Sequence, residues 1–125
     1  MLPTESQPLW AKTKISSHPA LRKPARFDAI IIGGGVTGLS AGLFLKEAGK
    51  RVCILERGHL GQSETGHTSA HLTCVTDLRL RDLVRNFDKE RAALVWQAGA
   101  AALDLIEQIV KHHNINCEFR RHQAW

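Results

Sequence analysis

The chain has 125 residues, room for one domain at most, with an ordinary globular share of 43% hydrophobic residues and no tyrosine. No uninterrupted apolar run approaches the roughly 18 residues that a membrane crossing needs, so no membrane partner is expected. Much of the net charge of +5 sits in Lys12, Lys14, Arg22, Lys23 and Arg26, without interleaved aromatics or a nucleic-acid motif, and reads as a solvated extension with no nucleic-acid partner.

Residues 1–26 form an irregular N-terminal extension. Its strongest apolar spot, Leu9-Trp10, is expected to dock on the domain surface. The segment has no apolar centre, which excludes a signal peptide, and Pro3, Pro8, Pro19 and Pro24 would interrupt the amphipathic helix of a transit peptide. Cys53, Cys74 and Cys117 are an odd, widely spaced set. Without a secretory signal they read as reduced thiols of a cytoplasmic protein, with Cys53 a small core residue.

The stretch from Asp28 to Glu56 reads as strand, glycine turn, helix, strand, ending on an acid. Ala29-Ile30-Ile31-Ile32 is a continuous β-branched run suited to a strand buried on both faces. Gly33, Gly35 and Gly38 follow as G-x-G-x-x-G. The first glycine permits a tight turn, the second lets the backbone approach a pyrophosphate, and the third lets the helix pack close to the strand. The helix is expected over about Thr37 to Ala48, with Leu39, Leu43 and Leu45 for packing and Gly49 as its C-terminal stop. Its N-terminus would present unpaired N–H groups and partial positive charge to phosphates. Val52, Ile54 and Leu55 supply the next buried strand. Glu56 ends it about 20 residues past the glycines, where a carboxylate can accept hydrogen bonds from ribose hydroxyls.

Residues 57–76 form a polar loop rich in Gly, Ser, Thr and His. Asp77 to Asn86 is predicted to be a short helix. A long helix follows from about Lys89 to His113, N-capped by Asp88 and stopped by Asn114 in the left-handed region. Leu94, Ala98, Ala101, Leu105 and Ile109 recur at helical spacing as its packing face, with Ala102 and Ile106 beside them. His112 and His113 complement the helix dipole. Ile115 to Phe119 reads as the start of a further strand. The fold class is therefore α/β: a Rossmann-like βαβ unit followed by a long helix. Residues 27–125 are expected to be the N-terminal part of a dinucleotide-binding domain that continues past Trp125, because such a sheet needs more parallel strands.

The hydroxyl-rich loop after Glu56 separates a flavin dinucleotide from a nicotinamide one, since a nicotinamide domain usually proceeds to an ordinary αβ step. The combination GGG-x-x-G-L-S, a helix ending in A-G, then V-x-x-L-E, resembles the FAD-dependent oxidoreductases of the D-amino-acid oxidase family. PLWAKT, TGHTSAHLT, LVWQAGAAALDLIEQIV and INCEFRR are similar to the N-terminal part of the branch that carries a Rieske domain. The resemblance implies that Gly33, Gly34, Gly35, Val36, Thr37 and Gly38 line the pyrophosphate. It implies that Glu56, with Arg57 beside it, contacts the adenosine end. Thr65, Gly66, His67, Thr68, Ser69 and Ala70 would follow the phosphates and ribityl chain. A Rieske [2Fe-2S] cluster could belong only to a further C-terminal domain, since no Cys-x-His motif occurs in these residues. Gly42 departs from the family's usual alanine, which weakens the helix by up to about 1 kcal/mol, and Leu80 departs from the branch's frequent tyrosine.

The resemblance implies FAD as cofactor and oxidation of a small amine or amino-acid-like substrate by hydride transfer to flavin, with the substrate-gripping residues beyond Trp125. No catalytic residue is identified. His67 and His71 lie near the loop position of a covalent flavin link, but out of register. They also lack the glutamate and third ligand of a zinc site, so no metal is assigned. Two rival readings are a nicotinamide-binding dehydrogenase module and a non-catalytic truncated dinucleotide-binding fragment. Residues 1–125 alone are expected to be inactive.

Overall fold

The structure, a computed structural model, describes residues 15, 17–62 and 64–122. The expected docking of Leu9-Trp10, two lysines of the basic extension (Lys12 and Lys14) and the continuation through Trp125 lie outside the described residues. The chain divides into two compact units, Met1–Ser69 and Ala70–Trp125.

The first unit is built on β1 (Ala29–Ile32), α1 (Val36–Glu47) and β2 (Val52–Leu55). The strands run parallel in a two-stranded sheet, with Ala29 opposite Val52 and Ile32 opposite Leu55. Asp28 fastens the entry to this sheet. Its Oδ2 accepts the Arg51 N–H at 2.7 Å, and that amide, followed by the Arg51 guanidinium, holds its carboxyl below the usual range. The helix ends in a Schellman arrangement. Gly49, at φ 74°, donates to the Lys46 carbonyl, and Lys50 donates to that of Leu45.

α1 packs on the sheet face that carries Ile31 and Ile54, and Gly42 makes the close approach possible. A Cβ on Gly42 would lie 2.8 Å from Ile54 Cδ1 and 3.6 Å from Ile31 Cδ1. The departure from alanine noted in the sequence thus goes with a close helix–sheet approach. The opposite face corrects an expectation: β1 is covered on one side only. Ile30 and Ile32 are 60% and 89% exposed, because side chains alternate across a strand and α1 covers a single face.

The second unit contains α2 (Leu80–Asn86) and α3 (Lys89–His112), packed together. α2 starts three residues later than predicted. Residues 73–78 form local turns instead, with the Val75 N–H donating to Thr73 Oγ1 and the Thr76 hydroxyl donating to the Leu78 carbonyl, and Arg79 is extended. α3 starts as read from the sequence: Asp88 Oδ1 accepts from the Arg91 N–H at 2.7 Å. It closes as a second Schellman arrangement, with Asn114 at φ 50° and the Ile115 N–H donating to the Val110 carbonyl.

Which side of α3 is covered differs from the predicted stripe. Of the predicted stripe, Leu94, Ala98, Ala101 and Leu105 are exposed and Ile109 is half-buried, whereas Ala92 is buried and Trp96, Gly99, Leu103, Ile106 and Val110 are half-buried. The helix is apolar around much of its circumference, so periodicity alone could not select a face. Small residues decide it: Ala92 is 1% exposed, and a Cβ on Gly99 would sit 3.2 Å from Cys74 Cα. By length and composition α3 could cross a membrane. It carries Asp104 and Glu107, which pair with Arg121, and Glu107 also pairs with Lys111 at 2.7 Å.

The expected strand at 115–119 does not form. Glu118 adopts φ 54° and the Cys117 N–H folds back to the Ile115 carbonyl, so the backbone turns rather than extends. Arg121 then binds back onto α3 through Asp104 and Glu107.

Candidate functional site

The glycine turn lies between β1 and α1, and Gly33 and Gly38 take the structural parts their spacing implies. Gly33 has φ 105°, a backbone state that disfavours any side chain, while its Gly33 N–H donates to the Leu55 carbonyl at 2.8 Å. Gly35 is the N-cap of α1 and, having no side chain, caps nothing. Gly38 packs against the start of its own turn: an added Cβ would collide with the Gly33 carbonyl oxygen and stand 3.2 Å from Ile31 Cγ2. Gly34, the glycine that the motif leaves unspecified, is buried. A Cβ there would run into Leu60 Cδ2.

Both sides of the Gly34 peptide are gripped by the segment after β2. Its N–H donates to Glu56 Oε2 at 2.8 Å, and its carbonyl accepts from the Gly61 N–H at 2.8 Å. Glu56 Oε1 accepts the Gly58 N–H at 2.7 Å. These two amides, Gly58 first and Gly34 second, hold the Glu56 carboxyl below the usual carboxylate range. The Arg57 amide adds a further backbone hydrogen bond, and the roughly four acceptor sites of a carboxylate are not exhausted by these. Arg57, beside it, is exposed and adds a favourable charge.

The polar loop is not wholly irregular. Residues Glu64–His67 form a 3-10 turn, and Thr65 Oγ1 accepts the Val36 N–H, the first of α1, at 2.9 Å. Gly66 is buried and would bring a Cβ to 3.0 Å from the Gly61 carbonyl oxygen. His67 closes the turn, and Thr68 and Ser69 follow it, exposed. Ala70, at φ 59°, opens the second unit. Val36 and Thr37 are exposed at the head of α1, whose first turn holds no acid, whereas α2 has Asp82 and α3 has Glu90 there. The first turn of α1 thus supplies no acidic counter-charge of its own.

Sequence reading placed the glycines, Glu56 and Thr65 in one site but missed the ties among them. Gly58 and Gly61, spaced two and five residues after Glu56, were the available signal.

The family described as FAD dependent oxidoreductase matches residues 28–125. A Rieske 2Fe-2S iron–sulfur protein of Bacillus subtilis (strain 168), YhfW, is 34% identical over 113 residues, which cover 90% of this chain and 22% of that protein. Gamma-glutamylputrescine oxidoreductase of Escherichia coli (strain K12) is 25% identical over 86% of this chain and 25% of its own length. Glycine oxidase of Bacillus licheniformis is 40% identical over 39% of this chain and 14% of its own length. The chain thus spans a quarter or less of these relatives. No solved structure matches it.

Proposed function

The chain belongs to the family of FAD-dependent oxidoreductases, and from that membership we propose that residues 28–69 hold the ADP half of FAD for an enzyme that oxidises an amine or amino-acid-like substrate. The observation that carries the reading is the head of α1. A side-chain-free N-cap, Gly35, opens a helix whose first turn has no acid, directly after a strand. A pyrophosphate fits such a place, since amide N–H groups and the helix dipole both favour an anion there. The remaining lone pairs of Glu56 suit ribose hydroxyls, and Arg57 offers charge at the same end. Gly66 to Ser69 supply hydroxyls and amides for the phosphate side.

When bound, the flavin supplies two-electron acceptance from a C–H bond next to nitrogen. This chain's own residues bind and orient. Gly33 and Gly38 shape the turn, Gly34 locks it to the segment after β2, and Glu56 joins the two. No residue is assigned to the chemistry itself. The substrate class rests on relatives named for glycine and for gamma-glutamylputrescine. We read α3 as a packing helix rather than a membrane span, because Asp104, Glu107 and Lys111 in its C-terminal half form ion pairs.

The test is cofactor retention. The purified full-length protein that contains this segment should carry oxidised-flavin absorbance, or take up FAD in preference to NAD. Gly35→Val should abolish that uptake, because its side chain would occupy the space in front of Val36. Undiminished FAD affinity in the variant, or preference for NAD, would overturn the reading.

A further inference from the structure

We propose that Gly61 is a positioning residue of the dinucleotide site: its N–H, aimed at the Gly34 carbonyl, holds the glycine turn in the shape that meets the pyrophosphate. The inference rests on the FAD reading above. Residues 59–62 form a tight turn, in which the Gln62 N–H donates to the His59 carbonyl at 3.3 Å. Gly61, its third residue, has φ 67°, whereas Leu60 before it has no positive φ. Those signs make a type II turn, which calls for glycine or asparagine at the third place. A residue with negative φ there favours the type I turn, whose central peptide faces the other way. The Gly61 N–H belongs to that central peptide and donates to the Gly34 carbonyl at 2.8 Å. A reversed peptide would turn the N–H away and bring the Leu60 carbonyl toward Gly34.

The Gly34 carbonyl shares one planar trans peptide with the Gly35 N–H, so the two point in opposite directions. Holding the carbonyl toward Gly61 therefore turns the N–H of Gly35, the N-cap of α1, to the opposite side. The amides at the head of α1 follow from that setting. Glu56 fixes the other end of Gly34 through its N–H. Gly61 also supports the second arm of the site. Its carbonyl lies against Gly66 of the Glu64–His67 turn, where a Cβ would come to 3.0 Å. One residue outside G-x-G-x-x-G thus touches both arms. Space does not demand a glycine at this position, since a Cβ would meet Ile15 Cδ1 at an ordinary 3.4 Å. The demand comes from the sign of φ.

The experiment strips the full-length protein that contains this segment of cofactor and titrates it with FAD, read by flavin fluorescence. Gly61→Ala should bind FAD about five- to thirtyfold more weakly, the cost of the left-handed region to an ordinary side chain. Gly61→Asn should stay within about threefold of the unaltered protein, because asparagine enters that region at less cost. Asparagine is the larger side chain, so a packing role would give the reverse order. Unchanged affinity in Gly61→Ala, or an equal loss in Gly61→Asn, would overturn the positioning role and leave the cofactor reading standing. No uptake of FAD by the unaltered protein would overturn both. Amide hydrogen exchange on the unaltered protein needs no variant. FAD at about a hundred times its Kd should slow exchange of the Gly61 amide about a hundredfold, since the opened turn does not bind. Exchange that FAD leaves unchanged would overturn the positioning role.

Discussion

Glu56 joins three segments with one carboxylate: the end of β2, the Gly58 amide and the Gly34 amide of the glycine turn. Glutamine in its place would keep one carbonyl acceptor but turn an NH2 group toward the other amide. Glu56→Gln should therefore loosen the turn and remove a charged acceptor from the adenosine end. We expect FAD affinity to fall by about 1.5–3 kcal/mol, with a smaller loss for FMN, which has no adenosine. Parallel titrations of the two cofactors check this, and equal losses would place Glu56 away from the ribose. The lowered carboxyls of Glu56, Asp28 and Glu107 set the acid limit. For Glu107 the first cause is Lys111; for Asp28 it is the Arg51 amide. A group whose folded value lies below its unfolded one contributes fully above the unfolded value, about 4 for carboxyls. It loses that contribution as pH falls through the folded value. Thermal midpoints should thus be level from neutral pH down to the ordinary carboxyl range and drop below it. A midpoint that rises on acidification would contradict these ties.

At the scale of elements, α1 illustrates two opposed effects at one position. Alanine at position 42 would gain up to about 1 kcal/mol in helix propensity. It would also bring a Cβ to 2.8 Å from Ile54 Cδ1, the tip of a half-buried side chain that would have to shift. Overpacking of that kind costs about 1–3 kcal/mol and outweighs the gain. Gly42→Ala alone should destabilise. Combined with Ile54→Val, which deletes the contacting methyl, it should recover most of the loss, because the next neighbour, Ile54 Cγ1, is at an ordinary 3.5 Å. Denaturant melts of the two single variants and the pair form the cycle, and simple additivity would show that the two residues do not meet. α3 gives a simpler case: Asp88→Ala removes the side-chain cap on the Arg91 N–H and should cost about 1 kcal/mol. An unchanged midpoint would mean that the cap is replaced by water without loss.

The molecule as a whole exposes much apolar surface. Ile30 and Ile32 on the open sheet face, and Leu94 on α3, are 60%, 89% and 63% exposed. Leu83 and Ala92 are the buried hydrophobic residues among those described. Contiguous apolar surface favours association. The 125-residue polypeptide expressed by itself should self-associate and unfold with a broad transition. Sedimentation as a monomer with a sharp cooperative melt would refute this. We propose that residues 27–125 form part of a larger dinucleotide-binding unit, in line with the quarter or less of its relatives that the chain spans.

Local chemistry was legible in the sequence by itself. β1 and β2 follow from short β-branched runs, the stops at Gly49 and Asn114 from left-handed caps, and the cap at Asp88 from its side chain. The structural parts of Gly33 and Gly38 in the turn follow from their spacing. Each depends on residues within a few positions of one another, so pattern and backbone preference suffice. The tertiary structure decided which face of α3 is covered, that residues 115–119 turn rather than pair, and that one face of β1 stays open. It also decided that Glu56 grips Gly34 and that Thr65 caps Val36, contacts that span 22 and 29 residues. Their partners come together only when β2 lies parallel to β1 and carries the following segment back over the head of α1, a geometry that no local pattern encodes.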